Sequence, residues 1–284
     1  MKLLIPFTVL GSAGVLSLQM AGLMPVPANT AHKNVSHVRV SESTEKRQNS
    51  GDTAKQNEVL TENITALKKG IAFLSEKSGY TSTFRMQESL NGDLKDPQEI
   101  DLRVRNEPFG AYLKWRSSKK EVLFPSEAGS GKLRVHYNGI KGLLGDVTLN
   151  PDSALARTEG RHPVTDIGIL NLAKLLLEYR ERDLSQPGVK LTRAPGESIG
   201  DRPCDCYIAE YADTSVEPTF RKAVYHIDRE LSIPLSFRGY GWAEDENAGD
   251  EAALLERYEY HDVEFANFSD TDFDYRNEAY SFKP

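Results

Sequence analysis

The stretch from Ile100 to Trp115 places the tightest limit on what this chain can fold into. Ile100, Leu102 and Val104 set apolar side chains on even positions, whereas Phe109, Ala111, Leu113 and Trp115 set them on odd ones. Strand side chains alternate between faces, so such a phase change moves the apolar set to the other face unless the backbone compensates. The change falls at Asn106-Glu107-Pro108, where Pro108 cannot donate to a ladder. One long strand bulged over 106–108 reconciles both facts, and bulged long strands bend a sheet strongly. A strongly curved sheet or partial barrel is therefore expected.

The flanking sequence supplies the rest of that architecture. Leu60, Ile64, Leu67, Ile71 and Leu74 recur at helical spacing and end before Gly79. A strand is expected through Thr83–Leu90, followed by turn chemistry at Asn91-Gly92-Asp93. Period-two patterning returns at Leu133, Val135 and Tyr137, then at Val147 and Leu149. It resumes at Cys206–Tyr211, Arg221–Asp228, Leu235–Tyr240 and, less regularly, Leu254–Phe265. A helix is expected from Thr165 to Arg182. Nine of the thirteen residues from Ile167 to Tyr179 are apolar, wider than a single stripe, which calls for cover on most sides against a concave sheet. Short connections without strand–helix alternation predict an α+β fold with an antiparallel rather than a parallel sheet.

The N-terminal region bears on location. Met1-Lys2, an apolar run from Leu3 to Leu18 and Val26-Pro27-Ala28 read as a secretory signal peptide over 1–28, with an uncleaved anchor as the rival reading. Residues 29–58 hold no aromatic residue and only five of Ala and Val, which predicts a disordered linker before a domain over 59–284. The chain is then exported to the periplasm or cell envelope, with no transmembrane segment after cleavage. A net charge of −7 without a block of Lys/Arg argues against nucleic acid as a partner.

Catalytic chemistry is hard to find. No pair of the six histidines has zincin spacing, and His162 is expected to fix the lead-in to the apolar helix. His261-Asp262 lacks a nucleophile elbow to complete a triad. Cys204-Asp205-Cys206 reads as a strained disulfide or two buried thiols, against a redox or metal pair. Asp270, Asp272 and Asp274 alternate like the start of a calcium loop. Tyr275 stands where that loop needs glycine, however, and Ser281 where it needs glutamate. Ser269 or Asp270 is the expected N-cap of a short closing helix. Residues 244–278 carry 13 Asp/Glu against two arginines, read as a solvated face. Gly139, Gly142 and Gly145 read as turn glycines. No enzyme, cofactor or metal site is expected.

Four phrases carry a resemblance: Val104-Arg105-Asn106-Glu107-Pro108-Phe109-Gly110-Ala111-Tyr112-Leu113-Lys114-Trp115, Gly160-Arg161-His162-Pro163-Val164-Thr165-Asp166-Ile167-Gly168-Ile169-Leu170-Asn171-Leu172, Tyr225-His226-Ile227-Asp228-Arg229-Glu230-Leu231-Ser232-Ile233-Pro234-Leu235, and the ending from Tyr258 to Phe282. In that order they resemble a planctomycete-type exported family of unknown function, domain fifteen-seventy-one. That family is similar to the LolA/LolB periplasmic lipoprotein carriers, whose fold is an unclosed barrel with helices on its concave side. The departure is Pro125-Ser126, which weakens one ladder. The resemblance implies a concave apolar cavity for lipid or lipoprotein acyl chains, lined by Phe109, Leu113, Trp115, Leu172, Leu176 and Trp242. The alternative is a structural or protein-interaction domain of the envelope without a cavity.

Overall fold

The computed structural model describes residues 41–139, 142, 145–242 and 249–283, with side chains from residue 56 onward. The expected signal peptide and the part of the tether before Ser41 lie outside the described residues. Residues 46–284 form one compact unit.

Helix α1 (Ser41–Ser75) begins within the stretch expected as a tether. Low burial and helicity are separate questions. No proline stands between Pro27 and Pro97. Good helix formers such as Glu, Lys, Gln and Ala can extend a helix already nucleated by an apolar stripe. Leu60, Ile64, Leu67 and Leu74 of that stripe are buried. At Gly70 an added Cβ would lie 2.1 Å from the Ser232 carbonyl oxygen, so only glycine allows the helix to approach this closely. Asn106 Nδ2 donates to the carbonyls of Leu74 and Lys77 at 2.9 and 3.0 Å, partnering acceptors that the helix end leaves open.

After α1 the chain forms β1 (Gly79–Leu90), β2 (Asp93–Leu94), β3 (Gln98–Arg105), β4 (Gly110–Trp115), β5 (Glu121–Phe124), β6 (Leu133–His136) and β7 (Val147–Leu149). Two 3-10 turns, Ala156–Glu159 and Val164–Asp166, lead to α2 (Ile169–Asp183). There follow β8 (Val189–Ala194), β9 (Ser198–Ile199), β10 (Arg202–Tyr211), β11 (Lys222–Asp228), β12 (Pro234–Tyr240), the short α3 (Gly249–Ala252) and β13 (Leu254–Ala266). All thirteen strands join one antiparallel sheet in the order β7-β6-β5-β4-β3-β1-β13-β12-β11-β10-β8, with β2 on β1 and β9 on β10. No pairing joins β7 to β8 among the described residues, so the barrel is unclosed.

The bulge expected at 106–108 is a hairpin turn instead. Ile100 pairs with Trp115, Leu102 with Leu113, and Val104 with Ala111. Each pair sums to an odd number, so even positions of β3 and odd positions of β4 share one face. The phase change is the parity of a hairpin register rather than an irregular strand. Register shifts occur elsewhere, at Thr81/Thr83, His226/Ile227 and Gly239/Tyr240, where they can supply local bending.

The inner face carries Leu102, Leu113, Val122, Val135, Ala223 and Tyr225 in the main core, beneath both helices. On the outer face Tyr112 and Leu123 form a second cluster with Phe273, Tyr280 and Phe282 of the C-terminal segment. Tyr112 and Tyr280 stack at 4.1 Å. Ser269 caps the 3-10 turn Asp270–Phe273 through a capping box with Asp272. Buried Glu121 accepts from the Ser281 amide at 2.9 Å and hydroxyl at 2.8 Å, and pairs with Lys114 at 2.9 Å. Within the described part of the acidic run several carboxylates are paired: Glu256 with Arg161, Glu259 with Arg238, Asp250 with Lys222, and Asp270 with Arg105. Asp262, Glu264 and Glu278 are exposed, as a solvated face would be.

Candidate functional site: the inner-face cavity

The start of α2 is fixed from below. Gly168 adopts φ +119°, a conformation that favours glycine, and an added Cβ would sit 3.3 Å from the Tyr80 hydroxyl. The Gly168 amide donates to the Tyr260 hydroxyl at 3.2 Å, and the Ile169 amide to the Tyr80 hydroxyl at 2.9 Å. Burial pushes both phenols above their usual range, so they remain protonated. Asn171 Nδ2 holds the preceding turn through the Thr165 and Ile167 carbonyls. These bonds start the helix at Ile169, four residues later than the sequence expectation.

Held in this way, α2 and the 151–168 segment cover a cavity of about 590 Å³ against the inner face. Leu113, Val122, Leu133 and Val135 line it from β4–β6, and Tyr211, Ala223 and Phe237 from β10–β12. Strands near opposite ends of the sheet order face one space, which makes this face concave. Leu172 and Leu176 complete the apolar wall from α2, whereas Leu175 at the rim is 45% exposed.

The cavity wall holds two polar regions. Along β1 and β13, buried Glu88 and Glu256 tie down the covering segment. The Tyr258 hydroxyl donates to Glu88 Oε1, and the Arg161 amide donates to Glu88 Oε2 at 3.0 Å. Arg161 Nε and His162 Nε2 each donate to Glu256 Oε2 at 2.9 Å. The Glu256 hydrogen bond raises the His162 pKa, while burial and the two carboxylates raise that of the Tyr258 phenol. Near β10 and β11, Arg180 is 1% exposed. Its Nη2 donates to the Tyr211 hydroxyl at 2.6 Å and meets Asp183 Oδ2 at 2.7 Å, and its Nη1 donates to the Tyr225 hydroxyl at 3.4 Å.

Of the six residues read as lining, Leu113, Trp115, Leu172 and Leu176 face the cavity. Phe109 and Trp242 do not, which corrects that expectation. Phe109 belongs to the β3–β4 turn and packs on Phe124 at 6.1 Å. Trp242 lies beyond β12, where its indole donates to the Glu217 carbonyl at 2.9 Å. Sequence reading missed Arg180, Tyr211, Tyr225, Glu88 and Glu256. Ala173, Leu176, Arg180 and Asp183 share helical spacing and are all buried, so a cation on an apolar stripe was the available signal.

The sulfur pair resolves as two free, buried cysteines. Burial pushes the Cys204 thiol up to about 11 and raises that of Cys206, away from the thiolate needed for redox or metal work. Among the described residues no cluster of three or more His, Cys, Asp or Glu is placed to hold a metal ion. Among them, too, no helix is long and apolar enough to cross a membrane.

The chain is similar to several solved structures. With the Mycobacterium tuberculosis lipoprotein LppX it shares 11% identity and a TM-score of 0.41, over 72% of this chain and 95% of that one. With the LolA superfamily protein NE2245 from Nitrosomonas europaea the identity is 12% and the TM-score 0.34, over 74% and 96%. With a DUF1329 family protein from Desulfovibrio piger the values are 10% and 0.32, over 74% and 96%. No curated protein matches. One family model covers residues 77–282, and the chain accordingly belongs to the family described as "Protein of unknown function (DUF1571)".

Proposed function

We propose that this chain is an exported envelope protein that binds lipid or lipoprotein acyl chains in the inner-face cavity. The observation that carries the reading is the cavity itself. At about 590 Å³ it falls within the range of small-molecule sites, and most of its wall is apolar. A purely structural or interaction domain would be expected to pack closely beneath α2, and the space there supports the binding reading instead. Export rests on the Met1–Ala28 pattern. The test is titration of the full chain with Nile red, an uncharged fluorescent probe, followed by competition with long-chain acyl compounds. Saturable, competable binding supports the reading. Its absence overturns it in favour of the interaction domain. N-terminal sequencing of the exported protein tests the export arm, with Asn29 expected as the first residue.

A further inference from the structure

The two polar regions of the cavity wall differ in what they can receive. At the β1/β13 wall stand two buried carboxylates, Glu88 and Glu256, whose oxygens already accept from Tyr258, Arg161 and His162. A second acid brought there would meet like charge. The basic side chains lining the cavity among the described residues are Lys120, Lys174, Arg180 and His162, the last bonded to Glu256. Lys120 is taken up by Glu159 at 2.7 Å and lies 3.6 Å over the Trp115 ring. Arg180 is the one among them that is essentially excluded from solvent.

Arg180 also has capacity to spare. Its buried Nε–H has no partner. The Tyr211 hydroxyl accepts from Arg180 Nη2 and keeps its own proton to donate. Burial pushes the Tyr211 and Tyr225 phenols up to about 12, so both stay protonated near neutrality. Tyr225 in turn donates to Asn63 Oδ1 at 2.9 Å, which anchors it on α1. Asp183 opposes Arg180 but also meets Arg182 at 3.3 Å, so it serves two cations. Arg182 is paired in turn with Glu217 at 3.0 Å, and burial raises the Asp183 carboxyl despite both arginines.

Size narrows the ligand. At about 590 Å³ the cavity has room for one long alkyl chain with a compact head. From Arg180 the space runs beneath α2 towards Leu113, Val122, Leu133 and Val135, an apolar bed for a chain.

We infer that the cavity takes a single long-chain fatty acid, with its carboxylate held at the Arg180 and Tyr211 end and its chain lying towards β4–β6. This rests on the acyl-binding reading above and deepens it. The test measures displacement of Nile red from the full chain by palmitate, hexadecanol, methyl palmitate and hexadecyl phosphate. A charge-assisted head contact should make palmitate about tenfold tighter than hexadecanol or methyl palmitate. Tyr211→Phe should lower that acid-over-alcohol ratio several-fold. Because Arg180→Met would strand buried Asp183, the double change Arg180→Met/Asp183→Leu is the second variant, and it should abolish the ratio. Equal affinity for acid and alcohol in the wild-type chain overturns the head assignment and leaves acyl binding standing. Tighter binding of hexadecyl phosphate than of palmitate overturns the carboxylate in favour of a phosphate head. Failure of all four to displace the probe removes the acyl-binding reading and this inference with it.

Discussion

Strands β3–β6 meet very different neighbours on their two sides. Outward, Tyr112 and Leu123 are in contact with Phe273, Tyr280 and Phe282, and the carboxylates beneath the C-terminal segment are satisfied. Asp146 accepts from the Lys283 amide at 2.7 Å and from Arg134 Nε at 3.0 Å. Inward, Leu113 and Val122, the next residues along the same strands, border the cavity. Packing on one side and space on the other are set by alternate residues of one backbone. The space is therefore local to the inner face and does not reflect a loosely built sheet. The C-terminal segment braces the strands from outside while α2 stands off them inside.

The largest expected effect breaks the brace. Phe273 is 1% exposed, and Phe273→Ala should cost about 3–5 kcal/mol in denaturant unfolding. Saturable Nile red binding by the folded fraction should survive. Loss of binding without loss of stability would mean that the two faces are not separable. Leu176 is 3% exposed but already borders empty space, so its truncation forfeits fewer contacts. Leu176→Ala should cost about 2–3 kcal/mol, the lower part of the usual range. It should also weaken probe binding, which Phe273→Ala does not.

Enlarging small residues gives a sharper contrast. A Cβ on Gly110 would lie 2.9 Å from the Phe273 ring, so Gly110→Ala should destabilise by about 1–3 kcal/mol through overpacking. Ala223→Leu points extra volume into the cavity instead. It should leave stability within about 1 kcal/mol of the parent while weakening probe binding. Equal destabilisation by both changes would show that the inner face has no room to fill.

How much of this was legible in the sequence depends on range. The α+β class and the antiparallel strands followed from local periodicities such as Ile100-Leu102-Val104 and from the short connections, whereas the unclosed sheet came with the family resemblance. What failed was non-local. A hairpin of odd register and a bulged strand give the same phase change at 106–108, and only the pairing of Ile100 with Trp115 separates them. β8 was missed because only Val189 and Leu191 carry its alternation, too few positions to tell a strand from a loop. For the site, Leu113, Trp115, Leu172 and Leu176 were reachable because period fixes a face. Phe109 shares that period but falls in the β3–β4 turn, and Trp242 was chosen for residue type and lies beyond a strand end. Glu88 and Glu256 face His162 and Arg161 across more than seventy residues of chain, a distance that no local pattern records.

The smallest expected effect sets the two faces apart by pH. On the inner side, the Glu256 carboxylate raises the His162 pKa above its ordinary value, with Glu88 adding to the effect and burial and Arg161 opposing it. A raised folded-state value means that the stabilisation is fully present below about pH 6.5 and is lost as pH rises through the higher folded value. The ring is 45% exposed, so solvent screening should keep this below about 1 kcal/mol. On the outer side, burial alone would raise the carboxyls of Glu121 and Asp146. Ser281 and Lys114 outweigh it for Glu121, and His136, Lys283 and Arg134 for Asp146, so both are lowered. That contribution is present above the ordinary carboxylate range and is lost as pH falls through the lowered values. Thermal unfolding followed from pH 3 to pH 9 should therefore show two limbs. His162→Gln should flatten the neutral-to-alkaline limb alone, and Glu121→Gln the acid limb alone. If His162→Gln moved the acid limb as well, the covering segment and the C-terminal brace would be one coupled unit rather than two independent finishes of one sheet.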